Sequence, residues 1–589
     1  MQLSRFFSVF SGALLLSYGT VVSGLSYDYI IVGGGTAGLA VANRLSANPD
    51  VSVLVLEAGA SVFNNTNVVG TDSYGKALNT NIDWQFKTVA QSFANNQVVT
   101  LHAGKAIGGT STINDPAELN AWATLNNDQS WSWNQFLQYY YKSEHYQVPT
   151  AQMLSDGVTY CTSCHGYSGP VKTGYTNGLA TDNLHNLYNS TTTNLGIPPN
   201  QDVNSAKMRG FTIYPRTVDT ALNVREDAAR AYYWPYTNRT NLVLIPNTTV
   251  TNIVWAQGTS GGNITASGVQ ATNNAGVTTT YQANHEVILA AGTLKTPQVL
   301  ELSGVGNPTI LNKYNIPVKV SLPGVGENLQ DQINNAAGFS SNAQTSYTGE
   351  RGWALYANAT DIFGSSTSSE ASTVKSALSS YASQAAAQSN GAVTSSELLA
   401  EFTTQYNLLF QTQVPMAEIV FYTSGTKLEA QYWGLLPFAR GNVHINSASP
   451  SAAPTINPNY WMTNWDRDAQ IGIAKFIRRF FATAPLSSIV TGETSPGLSK
   501  VPSNADTTTW SNYLKSVYRP NYHPVGSAAM KPRSKGGVVS PRLLVFGTTN
   551  VRVVDASCWP TQVSGHLSST VYAVAEKAAV MIQQDDGTA

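Results

Sequence analysis

Charge is scarce in this sequence. Asp, Glu, Lys and Arg make up 11% of 589 residues, 33 basic against 34 acidic, for a formal net charge of -1. That balance gives no basic stripe for a nucleic acid and no polybasic patch for an anionic membrane, so neither is expected as a partner. Cysteine is scarcer still, with Cys161, Cys164 and Cys558 alone. Three cysteines exclude a disulfide framework, and the odd number leaves at least one thiol unpaired within the chain. The run CTSC has the spacing of a local disulfide, of half a zinc site or of a redox dithiol. No second ligand pair sits nearby and no thioredoxin-like pattern surrounds it, which favours a local disulfide or free thiols, and no metal. After the N-terminal segment no apolar run is long enough to span a bilayer. Internal repeats are absent.

What is present suits a large globular protein. A hydrophobic share of 42% over this length can fill roughly two to four domains. The N-terminus, MQLSRFFSVFSGALLLSYGTVVSG, has a basic residue, an apolar run and small residues suited to cleavage after Gly24. Residues 1–24 therefore read as a signal peptide, with a buried first helix as the plainer alternative. Six N-x-S/T sequons, at Asn64, Asn189, Asn238, Asn247, Asn263 and Asn358, fit a secreted or cell-wall protein carrying N-glycans.

Residues 27–59 are the most legible stretch. YDYIIV is an apolar strand, GGGTAG a turn, LAVANRLSANP an amphipathic helix and SVLVLEAG a second strand. Gly33, Gly35 and Gly38 fit the G-x-G-x-x-G fingerprint, with the strand before it and the helix after it. The first glycine allows the tight turn, the second lets backbone approach a pyrophosphate, and the third lets helix and strand pack closely. Glu57, at the end of the second strand, is placed to accept hydrogen bonds from an adenosine ribose. The phosphates would lie at the helix N-terminus, beside Thr36 and Ala37. This motif implies a dinucleotide without separating FAD from NAD.

Two further stretches narrow the choice. GKAIGGTSTIN (104–114) has the small-residue composition of a loop pressed against a flat or phosphorylated ligand. GTLKTPQVLELSGVG (292–306) follows the strand EVILAAG. With the N-terminal motif, LPGVGENLQDQ (322–332) and the C-terminal run 550–579, these resemble the glucose–methanol–choline family of FAD oxidoreductases, and within it the secreted fungal glucose-oxidising branch. The resemblance runs from about Tyr27 to the C-terminus. It implies an α/β (α+β overall) chain: a Rossmann-like FAD-binding domain from 25–125, 210–335 and 530–589, and an antiparallel-sheet substrate domain from 126–209 and 336–529. The Ser/Ala-rich span 364–396 suits a helical cap, with Val374, Leu378, Tyr381 and Ala385 spaced along one side.

The stretch YRPNYHPVG (518–526) sets His523 among a guanidinium, an amide and a phenol. Alcohol oxidation removes a hydroxyl proton while a hydride leaves the same carbon. A histidine, with an unperturbed pKa of about 6.5, is a suitable base. His523 and His566 look like the family's catalytic pair, with His523 as base and His566 holding the substrate oxygen or sharing that role. The resemblance also implies Gly109, Thr110, Asn114, Asp555 and Thr561 as contacts of a non-covalent FAD. Arg519 and Asn521 would hydrogen-bond sugar hydroxyls, Trp433 would stack on the sugar, Gln431 and Tyr522 would line the pocket, and Tyr74 would close it.

Three departures bear on the substrate. Gln431 stands where the glucose-oxidising branch has an acid, and Val420 where glucose oxidase has an aromatic wall. Asn114 runs directly into DPAELNAWATL, a shorter segment than the family pattern. The expected substrate is a sugar oxidised at C1, with oxygen or a quinone as electron acceptor. The alternatives are an aromatic or allylic alcohol, of patulin-synthase or aryl-alcohol type, and a non-redox lyase or cyclase that holds FAD on the same fold.

Overall fold

The structure is a computed structural model that describes residues 25–108, 115–177, 184–343 and 349–587. The expected signal peptide and the cofactor contacts Gly109, Thr110 and Asn114 lie outside the described residues.

The first strand, β1 (Ser26–Val32), leads through the glycine turn into α1 (Thr36–Leu45) and then β2 (Val53–Leu56). All four residues of β2 and the last four of β1 are buried, as expected of parallel strands covered on both faces. The sheet runs Leu242–Ile245, β2, β1, Thr278–Leu289, Ala266–Asn273, Thr248–Trp255, and Val551–Val553 pairs alongside Thr278–Leu289. Its central pairs are parallel, and the 248–289 strands form an antiparallel meander. Gly33 has φ +107°, a conformation that favours glycine. A Cβ on Gly38 would overlap the Gly33 carbonyl oxygen, so α1 can lie this close to the turn only with glycine there. Helix Ser568–Asp585 packs on α1, with most of its residues buried.

A second sheet is antiparallel, in the order Val490–Ser495, Ile333–Ser341, Lys427–Gly434, Ala417–Ser424, Gly349–Ala357, Gly210–Ile213. The short strand Arg519–Pro520 pairs with Ile333 and Asn334. This sheet takes in Gly210–Ile213 and all of Ile333–Ser341, so it reaches into the 210–335 span assigned from sequence to the dinucleotide part. Pairing with Trp353–Tyr356 draws the 210–213 strand across. Helix Thr367–Ala387 covers this region and buries Val374, Leu378, Tyr381 and Ala385. Cys161 and Cys164 are disulfide-bonded, and Cys558 is a buried free thiol. Among the sequons, Asn64 and Asn238 are exposed. Asn358 is not available to a glycan, because it is buried and its side chain caps the helix Ala359–Phe363. Among the described residues no helix is long and apolar enough to cross a membrane.

Candidate active site

A cavity of about 410 Å³ opens along the first sheet's carboxyl edge. Gly33, Gly35, Thr36, Ala37, Glu57 and Asp555 all line it. Gly35, the N-cap of α1, has no side chain to cap the helix, and the helix N-terminus faces the glycine-lined part of the cavity. At one end the Glu57 carboxylate accepts the amides of Gly34 and Gly59, both at 2.7 Å. Burial holds its pKa above the ordinary carboxylate value. At the other end Asp555 accepts from Gly292 N (2.9 Å), Thr296 Oγ1 (2.6 Å) and Ser557 N (2.8 Å), and burial raises its pKa too. A carboxylate end and a glycine turn at a helix N-terminus fit a dinucleotide. Thr561 does not line this cavity; its Oγ1 accepts the Trp122 indole N–H at 3.0 Å.

The cavity's far wall includes Pro524, next in the chain to His523. Tyr522 adopts φ +62°, a rare conformation for an aromatic residue, and this turn aims the His523 side chain. Its backbone is tied down from three sides. Asp331 Oδ1 accepts the His523 amide (2.9 Å), Gln562 Nε2 donates to its carbonyl (2.9 Å), and Thr293 Oγ1 donates to the Pro524 carbonyl (2.7 Å). Gln332 Oε1 lies 2.9 Å from His523 Nδ1 and accepts Asn521 Nδ2 at 3.1 Å. Gln332 Nε2 is occupied by the Leu435 carbonyl. Two groups meet Nδ1: the Gln332 oxygen, which can only accept, and Asn521 Nδ2 at 3.0 Å, which can only donate. The Gln332 contact is the shorter and Asn521 Nδ2 already donates to Gln332 Oε1, which assigns the proton to Nδ1 and leaves Nε2 its lone pair. Burial, then the neighbouring His566, then Arg519 push the His523 pKa well below its ordinary value. A neutral imidazole with a bare Nε2 is the form a general base needs.

His566 faces His523, with ring centroids 5.6 Å apart. Its Nε2 lies 3.0 Å from Glu418 Oε1, which also accepts the Tyr356 hydroxyl at 2.9 Å. Glu418 is fully buried. The loop bearing His566 is fixed by Glu118, which accepts both the amide (2.7 Å) and the hydroxyl of Ser564. Burial, and then Asp115, push the Glu118 pKa up to about 8.

The rest of the site is laid out on one face of the second sheet. Tyr356 stands opposite Glu418, Glu418 opposite Trp433, Trp433 opposite Asn334, and Asn334 opposite Arg519. Directly paired residues share a face, and so do residues two apart, which adds Val420 and Gln431. Trp433 lies against both histidines, with centroids 5.9 and 6.3 Å away. Arg519 donates to Gln431 Oε1 at 2.6 Å and lies over the Tyr522 ring. Tyr74 is 55% exposed, at the rim beside Tyr422 rather than closed over the histidines.

One expected substrate contact stands elsewhere. The Asn521 amide is buried behind His523, where it meets Gln332, His523 Nδ1 and Asn334. Its short tether to His523 leaves it supporting the ring, not reaching toward a sugar. Sequence reasoning missed Glu418, Gln332, Asp331 and Glu118. A signal existed for Glu418, an acid in the otherwise apolar run MAEIVF. Another existed in LQDQ, a polar triplet too buried to be a loop surface.

A Rossmann-type dinucleotide cavity that ends beside two facing histidines defines a nucleotide-cofactor oxidoreductase. GMC oxidoreductase family models match residues 27–334 and 437–575. The glucose oxidase-like protein fsoC of Humicola fuscoatra is 41% identical over 568 residues, 95% of each chain. The glucose oxidase of Penicillium chrysogenum is 32% identical, over 97% of this chain and 94% of that one. An FAD-dependent oxidoreductase from Chaetomium thermophilum superposes with TM-score 0.86 at 26% identity, over 96% of this chain and 100% of that one. A fungal aryl-alcohol oxidase follows with TM-score 0.83 at 25% identity, over 95% and 99%. The chain belongs to the GMC oxidoreductase family: it is an FAD-dependent oxidoreductase of CH–OH donors.

Proposed function

We propose that this enzyme oxidises a sugar, glucose at C1 in the first instance, and works as a secreted dehydrogenase or oxidase. The observation behind this reading is the Arg519 guanidinium, held by Gln431 Oε1 on the sheet face that carries Trp433, which lies against both histidines. Its remaining N–H groups can bind further hydroxyls of a polyol while the reacting hydroxyl sits at the histidines; a simple alcohol has only that one hydroxyl.

Bound FAD supplies the acceptor for the hydride that leaves the carbinol carbon. Gly33, Gly35, Thr36 and Ala37 would hold its pyrophosphate, Glu57 the adenosine ribose and Asp555 the ribityl end. His523 Nε2 takes the hydroxyl proton, and His566, anchored by Glu418, orients the substrate oxygen. Arg519, set by Gln431, donates to the remaining hydroxyls. Oxygen or a quinone then reoxidises the enzyme.

Two outcomes test these roles. The base acts in its neutral form, and its pKa is lowered. Activity is therefore retained as pH falls through 6.5 and is lost only at more acid pH. Removing the positive charge in Arg519→Leu shifts that acid limb upward; a limb that stays put in a kcat/KM profile contradicts the coupling. The same variant is expected to raise KM for D-glucose at least about 10-fold, or 1.4 kcal/mol, with a smaller change for benzyl alcohol. Equal losses on both substrates would remove Arg519 from sugar recognition.

Val420 supports a second reading. A buried valine on the face of Gln431 leaves room for a flat ring, and an aromatic or allylic alcohol would use it. Kinetics with D-glucose and benzyl alcohol side by side separate the two, and a strong preference for benzyl alcohol sinks the sugar reading.

A further inference from the structure

Among the described residues the Arg519 guanidinium meets no carboxylate directly. Its Nη2 donates to Gln431 Oε1 at 2.6 Å, its Nη1 donates to the Pro520 carbonyl at 3.2 Å, and it lies over the Tyr522 ring at 5.4 Å. A carboxylate stands one step further out. Gln431 Nε2 donates to Glu429 Oε1 at 2.9 Å, and among the described residues this is the only hydrogen bond of the Glu429 carboxylate.

The three side chains belong to one sheet face. Arg519 is paired with Asn334 and Gln431 with Ala336, so the guanidinium crosses the intervening strand Ile333–Ser341 diagonally to reach Gln431. Glu429 shares that face, two residues from Gln431, and stands opposite Tyr422, whose ring lies 6.5 Å from that of Tyr74 at the rim. The row therefore runs outward from Trp433 beside the histidines to Glu429 at the mouth. Arg519, Gln431 and Glu429 are all half-buried.

A guanidinium only donates and a carboxylate only accepts, so the amide between them has one orientation that satisfies both. Gln431 and Arg519 are long side chains with much rotamer freedom to lose. Without an anchor on Nε2, the Gln431 oxygen is no fixed target for the guanidinium. Glu429 supplies that anchor as a charge-assisted hydrogen bond, and bonds joined in such a chain strengthen one another.

We propose that Glu429 is a positioning residue for sugar recognition: through the Gln431 amide it holds the Arg519 guanidinium aimed at the hydroxyls of a polyol. The proposal rests on the sugar-oxidising reading above. The histidines act on the reacting hydroxyl, and the row Glu429–Gln431–Arg519 acts on the others. Loss of Glu429 therefore weakens sugar binding and leaves the chemical step alone.

The test combines kinetics and a crystal structure, both on the FAD-loaded enzyme. Glu429→Ala is expected to raise KM for D-glucose at least about 5-fold, the scale of one lost hydrogen bond, with kcat and the KM for benzyl alcohol within about twofold of wild type. Glu429→Gln keeps an acceptor for Gln431 Nε2 and should stay close to wild type. Gln431→Glu gives Arg519 a carboxylate directly, so in that background Glu429→Ala should no longer raise KM. An unchanged KM in Glu429→Ala, an equal rise in both backgrounds, or equal losses on glucose and benzyl alcohol overturns the proposal. The structure of Glu429→Ala tests the same point without a substrate. Arg519 displaced from Gln431 is expected, and a guanidinium still in its wild-type place overturns the proposal. If D-glucose does not bleach the wild-type flavin, the sugar reading fails instead, and that structure alone decides whether Glu429 holds Arg519.

Discussion

Replacing His523 with alanine is expected to lower kcat for alcohol oxidation by about a hundredfold to ten-thousandfold, the range contributed by a positioned general base. Flavin content and thermal stability should stay near wild type. Alanine keeps the backbone amide and carbonyl bonds that hold the turn and loses the two contacts of Nδ1. The ring's support is separable from the ring itself. Gln332→Leu removes the acceptor that fixes the Nδ1–H tautomer while leaving the imidazole in place. It should therefore lower kcat by a smaller factor and move the acid limb of the pH profile. Stopped-flow flavin reduction measures both variants. A His523→Ala enzyme that reduces its flavin at the wild-type rate would remove His523 from the chemistry.

The second large effect is on the cofactor. Gly38→Val should yield a chain without bound FAD. Even a Cβ at residue 38 overlaps the Gly33 carbonyl, and Gly33 is itself held at φ +107°. Relief requires α1 to move away from the strand, which withdraws its first-turn N–H groups from the phosphate position. The ratio of flavin to protein absorbance reads this directly. Full flavin occupancy in the variant would show that the glycine turn does not set the cofactor site. By contrast, among the described residues Gly35 has only Gly108 O near its Cβ direction, at 3.8 Å. Gly35→Ala should fold and lose affinity rather than lose the site.

The contrast between these two sites explains which features were legible in the sequence. The strand–turn–helix–strand from Tyr27 to Gly59 is local: its periodicities, glycines and Glu57 all act within one contiguous stretch. The two histidines were legible by resemblance. Their supports were not, because Gln332, Glu418 and Glu118 reach His523 and His566 through sheet register and loop packing across long sequence separations. The row Tyr356–Glu418–Trp433–Asn334–Arg519 exists only once five strands are paired, and a one-residue slip would turn all of it to the other face. Asn521 shows the same limit from the other side. Two residues from His523, it reads as a pocket amide, yet strand pairing sets Asn334 and Gln332 behind it and turns it into a support. The strand Gly210–Ile213 joins the second sheet for the same non-local reason.

The most direct measurement is the visible spectrum of the FAD-loaded enzyme under anaerobic conditions, before and after addition of D-glucose. Bleaching of the flavin band by glucose, lost in His523→Ala and weakened in Arg519→Leu, is the expected result. A flavin that stays oxidised with glucose while benzyl alcohol bleaches it would contradict the sugar assignment and make Val420 and Gln431 the residues that select the substrate.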